Sequence, residues 1–150
     1  MKTLYTDASF DYRHTDETTE HLVRGKIAVS GEGLSLIDKV AIGKVPELRQ
    51  YINILELVAI ARAIELASTK EWQDAELKII TDSQVAKGWA SKGKISPKVV
   101  TAAHTNALEY LAKAKKLFGG TINFFFTPRD NNPAGHLLAV ELEKSKPHDI

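Results

Sequence analysis

The chain has 150 residues, of which 43% are hydrophobic and 26% are charged, and its formal net charge is +1. This length and composition predict a single globular domain, residues 1–150, with a hydrophobic core of its own. The absence of cysteine excludes disulfides, thiolate metal sites and thiol nucleophiles. No apolar run is long enough to cross a bilayer, and the N-terminal MKTLYTDASF is unlike a signal peptide, so we expect a cytoplasmic protein without a membrane partner.

The first half of the chain predicts three strands and a long helix. KTLYTDAS is a β-prone run that predicts a strand ending near Asp7, and the polar YRHTDETTE follows as a loop. HLVRGKIAVS and GLSLIDKVAIG are two further strand-like runs, and the GEG between them predicts a hairpin. After the connection VPELRQY, INILELVAIARAIELAS is rich in Ala and Leu and contains no Gly or Pro, which predicts a helix.

The second half predicts two strands and three helices. DAELKIITD is a strand that ends at Asp82, SQVAKGWAS is a short helix, and KGKISP is a break. KVVTAAHTNALEYLAKAKKLFGG is a second long helix stopped by its two glycines, and TINFFFTP is a strand. Asn132 as N-cap and Pro133 as first helical residue open the last helix. The order β-β-β-α-β-α-α-β-α predicts an α/β fold with helices packed on a mixed sheet.

Three carboxylates are candidates for chemistry. Asp7 and Asp82 each stand at the carboxyl end of a predicted strand, where α/β sheets gather ligands, although either one alone is also an ordinary turn residue. Glu56 lies in INILELVAIARAI, which is apolar on almost every side. A buried, ionised Glu needs a cation or strong donors. That partner is either a metal ion or an internal salt bridge, for instance with Arg62 or Arg49.

If the first and fourth strands are neighbours and the first long helix packs on them, these three carboxylates converge. They cannot all stay ionised without a compensating cation, and oxygen ligands suit Mg²⁺ or Mn²⁺. Two such ions can promote hydrolysis of a phosphodiester, whereas paired carboxylates can also hydrolyse glycosides. Between residues 84 and 120, seven lysines stand against Glu109 alone, either as a solvated helix face or as a surface for a polyanion.

Four motifs, in order along nearly the whole chain, resemble those of the ribonuclease H family, type 1. They are YTDAS, NILELVAI, IITDSQ and TPRDNNPAGHLLA. The resemblance implies a ribonuclease H-like fold, with a five-stranded mixed sheet flanked by helices. It also implies a metal-dependent endonuclease, with two Mg²⁺ or Mn²⁺ ions, that hydrolyses the RNA strand of RNA–DNA hybrids and leaves a 5′-phosphate and a 3′-hydroxyl.

The resemblance also implies roles for single residues. Asp7, Glu56 and Asp82 are the catalytic metal ligands. Asn53 and Gln84 match positions that contact the hybrid in its minor groove, where 2′-hydroxyls distinguish RNA from DNA. Three further roles complete the set: Ser83 positions Gln84 or contacts the backbone, Arg129 contacts the region of the scissile bond, and His136 stands where the family has its last carboxylate.

The sequence departs from the family pattern in three places. The glycine-rich turn after the first Asp is absent, the basic handle of some members is reduced to SKGKISPK, and His136 replaces the final Asp. A helix N-terminus disfavours a cationic side chain, so it favours the neutral imidazole that ligates metals. We predict that His136 is a metal and catalytic ligand, as in some Holliday-junction resolvases, with loss of activity as the alternative.

These departures leave two alternative functions open. One is a non-catalytic or weakly active nucleic-acid-binding domain of the same fold, and the other is a junction-type DNA nuclease. The remaining histidines show no ligand-like spacing, and we predict them at the surface. They are His14, His21, His104 and His148.

Overall fold

The computed structural model describes residues 1–10, 22–43, 45, 48–95 and 100–144, and its elements follow the predicted order. The strands are β1 Lys2–Phe10, β2 Leu22–Gly31, β3 Leu34–Gly43, β4 Leu77–Thr81 and β5 Ile122–Phe126. The helices are α1 Leu48–Thr69, α2 Gln84–Lys92, α3 Ala102–Phe118 and α4 Pro133–Lys144, with a 3₁₀ turn at Arg129–Asn131. The loop predicted at residues 12–20 lies outside the described residues.

The strands form one mixed sheet in the order β3-β2-β1-β4-β5. The β1–β2 and β2–β3 pairs are antiparallel, whereas β1–β4 and β4–β5 are parallel. Thr6 pairs with Thr81, so Asp7 lies beside the carboxyl end of β4. Strand β1 does not end near Asp7 as predicted but continues to Phe10, because residues 7–10 pair with β2. The predicted α/β fold with a five-stranded mixed sheet is therefore confirmed.

The β2–β3 connection is a two-residue turn. Gly31 pairs with Leu34, and the two residues between them, Glu32 and Gly33, have φ values of 52° and 77°. Positive φ at both central residues is the pattern whose twist matches a hairpin. The Glu32 Oε1 atom also accepts a hydrogen bond of 2.9 Å from the Thr3 backbone, which ties the turn to β1. The hairpin predicted at GEG is confirmed.

Helices cover both faces of the sheet. On one face α1 packs on β1, β2 and β4, and α2 and α3 cover its other side, so α1 is apolar nearly all round. On the opposite face α4 lies over β1, β2 and β3, where Ala134 and Leu138 pack against Ala28. Among the described residues, no helix combines the length and the apolar character needed to cross a membrane.

Caps explain where the helices begin and end. The Ser83 hydroxyl accepts a hydrogen bond from the Ala86 backbone N–H, so Ser83 is the N-cap of α2 and not its first residue. Thr101 caps α3, which begins at Ala102 and not at Lys98 as predicted. Helix α1 begins at Leu48, inside the segment predicted as a connection. The Gly119 cap at φ 70° confirms the predicted end of α3.

The prediction that His104 lies at the surface is wrong. Its side chain is completely buried, and its ring meets the Trp89 ring edge-to-face at 5.7 Å. The Nδ1 atom accepts a hydrogen bond of 3.1 Å from the Thr101 backbone N–H, which makes His104 part of a capping box. The Nε2 atom is buried without a partner among the described residues. The other three histidines of that prediction lie outside the described residues.

His104 makes the stability of the fold depend on pH. Burial lowers its pKa below the usual 6.5, so His104 binds a proton more readily in the unfolded chain than in the folded one. The contribution of neutral His104 to stability is fully present above pH 6.5 and is lost as the pH falls through the lower folded-state pKa. We expect the thermal midpoint to fall between about pH 7 and about pH 5 more for the wild type than for His104→Gln. Gln keeps a capping-box side chain but does not titrate, so identical pH profiles would contradict this role.

Candidate active site

Three carboxylates meet where β1 passes the carboxyl end of β4. Asp7 lies in β1, Asp82 directly follows β4, and Glu56 lies in α1, which packs on both strands. One carboxylate oxygen from each residue lies within 4.8 Å of the others. We call these three residues the acidic cluster. The structure thus brings together three site residues that the sequence analysis selected from distant segments.

Glu56 is the most deeply constrained member of the acidic cluster. It is only 5% exposed, and its Oε2 atom has no hydrogen-bond partner among the described residues. Burial raises the pKa of Glu56 well above its usual range, and the nearby Asp7 and Asp82 raise it further. A backbone hydrogen bond from Ala8 acts in the opposite direction. An ionised Glu56 therefore lacks compensation from the protein alone.

Among the described residues, Glu56 forms no salt bridge, and neither of the two arginines named as candidates pairs with it. Arg62 instead contacts Asp38 in β3 at 2.8 Å and Glu65 at 2.6 Å. The Tyr110 hydroxyl donates a further hydrogen bond to Glu65. Arg49 is exposed, and it forms no ion pair with Glu56 in the described part of the chain.

Asp82 is half-buried, and opposing influences act on its charge. Burial and the charge of Asp7 raise its pKa, whereas a hydrogen bond from Asn132 and the charge of Arg129 lower it. Three crowded carboxylates, one with an unpartnered buried oxygen, form the donor set that a hard divalent cation prefers. The residues present fit Mg²⁺ or Mn²⁺.

Solved structures match the chain along nearly its whole length. Ribonuclease H1 from the halophilic archaeon Halobacterium salinarum is 16% identical, with a TM-score of 0.58 and coverage of 96% of this chain and 98% of that chain. LC11 ribonuclease H1, isolated from compost by a metagenomic approach, is 20% identical, with a TM-score of 0.64 and the same coverage. The chain has a ribonuclease H-like fold. No protein-family model and no curated protein matches it.

A second structure of LC11 ribonuclease H1 contains an RNA/DNA hybrid. It is 19% identical to this chain, with a TM-score of 0.62, and the match covers 97% of this chain and 100% of that chain. At this sequence identity the similarity establishes the ribonuclease H-like fold that the sequence motifs predicted. The chemistry depends on the residues present in this chain.

His136 lies in the first turn of α4, outside the group of carboxylate oxygens that lie within 4.8 Å of one another. Its side chain is exposed, and its Nε2 atom is 3.2 Å from the backbone oxygen of Asp130. A carbonyl oxygen only accepts, so Nε2 is the donor in this contact. The ligand role of His136 stays a prediction.

The residues predicted to contact nucleic acid flank the acidic cluster in the ribonuclease H-like fold. Asn53 is half-buried in α1, one turn before Glu56, and Gln84 is exposed at the start of α2. Ser83 is engaged in capping α2, and Arg129 is exposed in the 3₁₀ turn. Their roles toward a nucleic acid stay predictions.

Two residues that the sequence analysis did not assign to the site lie against the acidic cluster. Asn132, predicted as an N-cap, does accept a hydrogen bond of 3.0 Å from the Ala134 backbone N–H. Its amide nitrogen donates to the backbone oxygen of Thr6, the residue before Asp7. A Cβ atom on Gly135 would lie 2.8 Å from the Asp7 Oδ2 atom. Asn and Gly three positions apart at the start of a helix were the available signal, but such residues are usual there for backbone reasons alone.

Proposed function

We propose that this protein is a divalent-metal-dependent endonuclease that hydrolyses the RNA strand of RNA–DNA hybrids. In that reaction the oxygen of water adds to phosphorus and the bond from phosphorus to the 3′ oxygen breaks. The 3′ oxygen takes up a proton, which leaves a 3′-hydroxyl on one fragment and a 5′-phosphate on the other.

The observation that carries this proposal is the unpartnered, buried Oε2 atom of Glu56 beside two further carboxylates. Unpaired buried charge destabilises a fold by several kcal/mol, so an ion pair or a neutral side chain would serve a purely structural role better. A cation-binding role accounts for three acidic side chains kept together at the carboxyl edge of the sheet.

Asp7, Glu56 and Asp82 would hold the divalent ions. When bound, a pair of such ions activates water and stabilises the leaving oxygen of a phosphodiester. The chain's own contribution is to hold the carboxylates in a fixed, largely buried arrangement, with β1 and β4 as a rigid support.

Exposed basic and polar side chains, some of them beside the acidic cluster, support a nucleic-acid substrate. Gln84 is exposed and stands two residues after Asp82 in the chain. Arg129 is also exposed, and its charge lowers the pKa of Asp82. The exposed lysines of α2 and α3 add positive charge that would attract phosphates, and they are Lys92, Lys113 and Lys116. Lys115 differs, since its Nζ atom donates to the Ala90 backbone oxygen and ties α3 to α2.

A cleavage assay with four labelled substrates tests the proposed function. The substrates are an RNA–DNA hybrid, double-stranded RNA, duplex DNA and branched DNA, each with Mg²⁺ and with Mn²⁺. We expect cleavage of the RNA strand of the hybrid alone. Cleavage of branched DNA would identify a junction-type nuclease instead, and binding of the hybrid without cleavage would identify a non-catalytic domain.

We further propose that His136 contributes a nitrogen ligand. Metal-ligating histidines commonly donate their second ring N–H to a backbone carbonyl, as Nε2 does here to Asp130. Imidazole suits Mn²⁺ better than Mg²⁺. We therefore expect activity with Mn²⁺ to match or exceed activity with Mg²⁺, and His136→Asp to shift the ratio toward Mg²⁺.

The measurement is the initial cleavage rate at saturating concentrations of each metal, for the wild type and His136→Asp. His136→Ala serves as the control, since it removes the ring without adding an oxygen ligand, and it should lower activity with both metals. An unchanged Mn²⁺ to Mg²⁺ ratio in His136→Asp would count against direct ligation.

A further inference from the structure

Asn132 joins three parts of the chain at the edge of the acidic cluster. It is completely buried, and its Nδ2 atom donates a hydrogen bond of 2.9 Å to the Thr6 backbone oxygen in β1. Its Oδ1 atom accepts from the Ala134 N–H at the start of α4. The Asn132 amide also lowers the pKa of Asp82, the residue that follows β4.

The amide of Asn132 uses both of its polar atoms. The oxygen is occupied by the helix cap, and the nitrogen donates to Thr6. A capping role alone needs only the oxygen, which Ser or Asp would also supply. Thr6 directly precedes Asp7 and pairs with Thr81, which directly precedes Asp82. The Asn132 nitrogen therefore holds α4 at the point in the sheet from which both aspartates extend.

Gly135 acts on Asp7 of the acidic cluster. A Cβ atom at this position would lie 2.8 Å from Asp7 Oδ2 and 3.7 Å from its Cγ atom. Non-bonded atoms do not tolerate the shorter distance, so the carboxylate would have to move. The first turn of α4 thus approaches Asp7 as closely as its backbone allows.

We propose that the first turn of α4 positions both aspartates of the acidic cluster, through the Asn132 amide bonded to Thr6 between them and the absent side chain of Gly135 beside Asp7. Asn132 and Gly135 are positioning residues, because neither is a ligand itself. This inference rests on the proposed function, since the aspartates are positioned for a divalent ion. Removing a group that orients a metal ligand commonly weakens metal affinity by about 10–100-fold.

The test is calorimetric titration of the metal-free protein with Mn²⁺, for the wild type, Asn132→Ser and Gly135→Ala. Ser keeps a capping oxygen but is too short to reach Thr6. We expect the Mn²⁺ dissociation constant to rise about tenfold or more in both variants. Hybrid cleavage should then recover as the Mn²⁺ concentration is raised, which a variant with a damaged fold would not show.

Two matched controls separate positioning from stability. Asn131→Ser makes the same change at the exposed neighbouring residue, and Gly88→Ala adds a Cβ in α2 where nothing lies within 4 Å. Both should bind Mn²⁺ like the wild type. If Asn132→Ser fails to fold, Gly135→Ala decides, since Ala is favoured over Gly in a helix and its thermal midpoint should not fall.

The outcomes distinguish this inference from the proposed function. If the wild type, Asn132→Ser and Gly135→Ala all bind Mn²⁺ equally tightly, the positioning role is wrong and the proposed function stands. If the wild type binds no Mn²⁺, both are wrong.

Discussion

Asp82→Asn is expected to lower the rate of hybrid cleavage by about a thousandfold or more and to leave the fold intact. Asn keeps the shape of the side chain but removes one of the three charged ligands. Bound metals contribute several kcal/mol to such reactions, and about 4 kcal/mol corresponds to about a thousandfold in rate. Stability should not fall, because the charge of Asp7 opposes ionisation of Asp82 in the wild type. Single-turnover cleavage and thermal unfolding measure the two effects.

Asp74→Asn provides the matched control for this variant. Asp74 is exposed in the turn before β4, so the same chemical change should leave both rate and stability unaltered. Wild-type activity in Asp82→Asn would refute the assigned role of Asp82. A lower rate in both variants would point to a general effect of charge on substrate binding.

Glu56→Gln is expected to stabilise the metal-free protein by about 1–3 kcal/mol and to abolish activity. The pKa of Glu56 is raised above the usual 4.5 in the folded state, first of all by burial. The stability contribution of the group is therefore complete below 4.5 and is lost as the pH rises through the folded-state pKa. Gln cannot ionise, so its advantage should grow with pH and be present at neutral pH.

Urea unfolding at two pH values, with and without Mn²⁺, measures this effect. Mn²⁺ should stabilise the wild type, because a ligand of the folded state raises the free energy of unfolding, and it should stabilise Glu56→Gln much less. Glu109→Gln is the control, since Glu109 is exposed on α3 and its replacement should change neither quantity. A Glu56→Gln protein less stable than the wild type at neutral pH would contradict a cation-binding purpose for Glu56.

The sequence predicted the sheet and the acidic cluster because both follow from local patterns. Asp7 lies near the end of one β-prone run, Asp82 ends another, and Glu56 interrupts an apolar helix. Parallel pairing of the two strands, with α1 packed on both, brings the three together. The β2–β3 hairpin was predictable from the short GEG turn. The start of the last helix was predictable from its N-cap Asn132 and from Pro133 in its first turn.

Features that depend on tertiary contacts were not predictable from those patterns. His104 lies on α3, which packs chiefly against α1, and its ring meets the Trp89 ring edge-to-face. The residues next to His104 in the sequence do not indicate those contacts. The start of α1 at Leu48 and the cap at Thr101 are boundary effects, which packing decides. The hydrogen bond from Asn132 to Thr6 joins residues 126 positions apart, so no local pattern predicts it.

The central parallel pairing of β1 with β4 has a consequence for the order of assembly during synthesis. The β2–β3 hairpin joins neighbouring segments and can close early, whereas β1 gains its parallel partner only after the hairpin and all of α1 have been made. Contacts between such remote segments form slowly. During synthesis one edge of β1 therefore stays unpaired until β4 has been made, and the acidic cluster forms late in the assembly of the nascent chain.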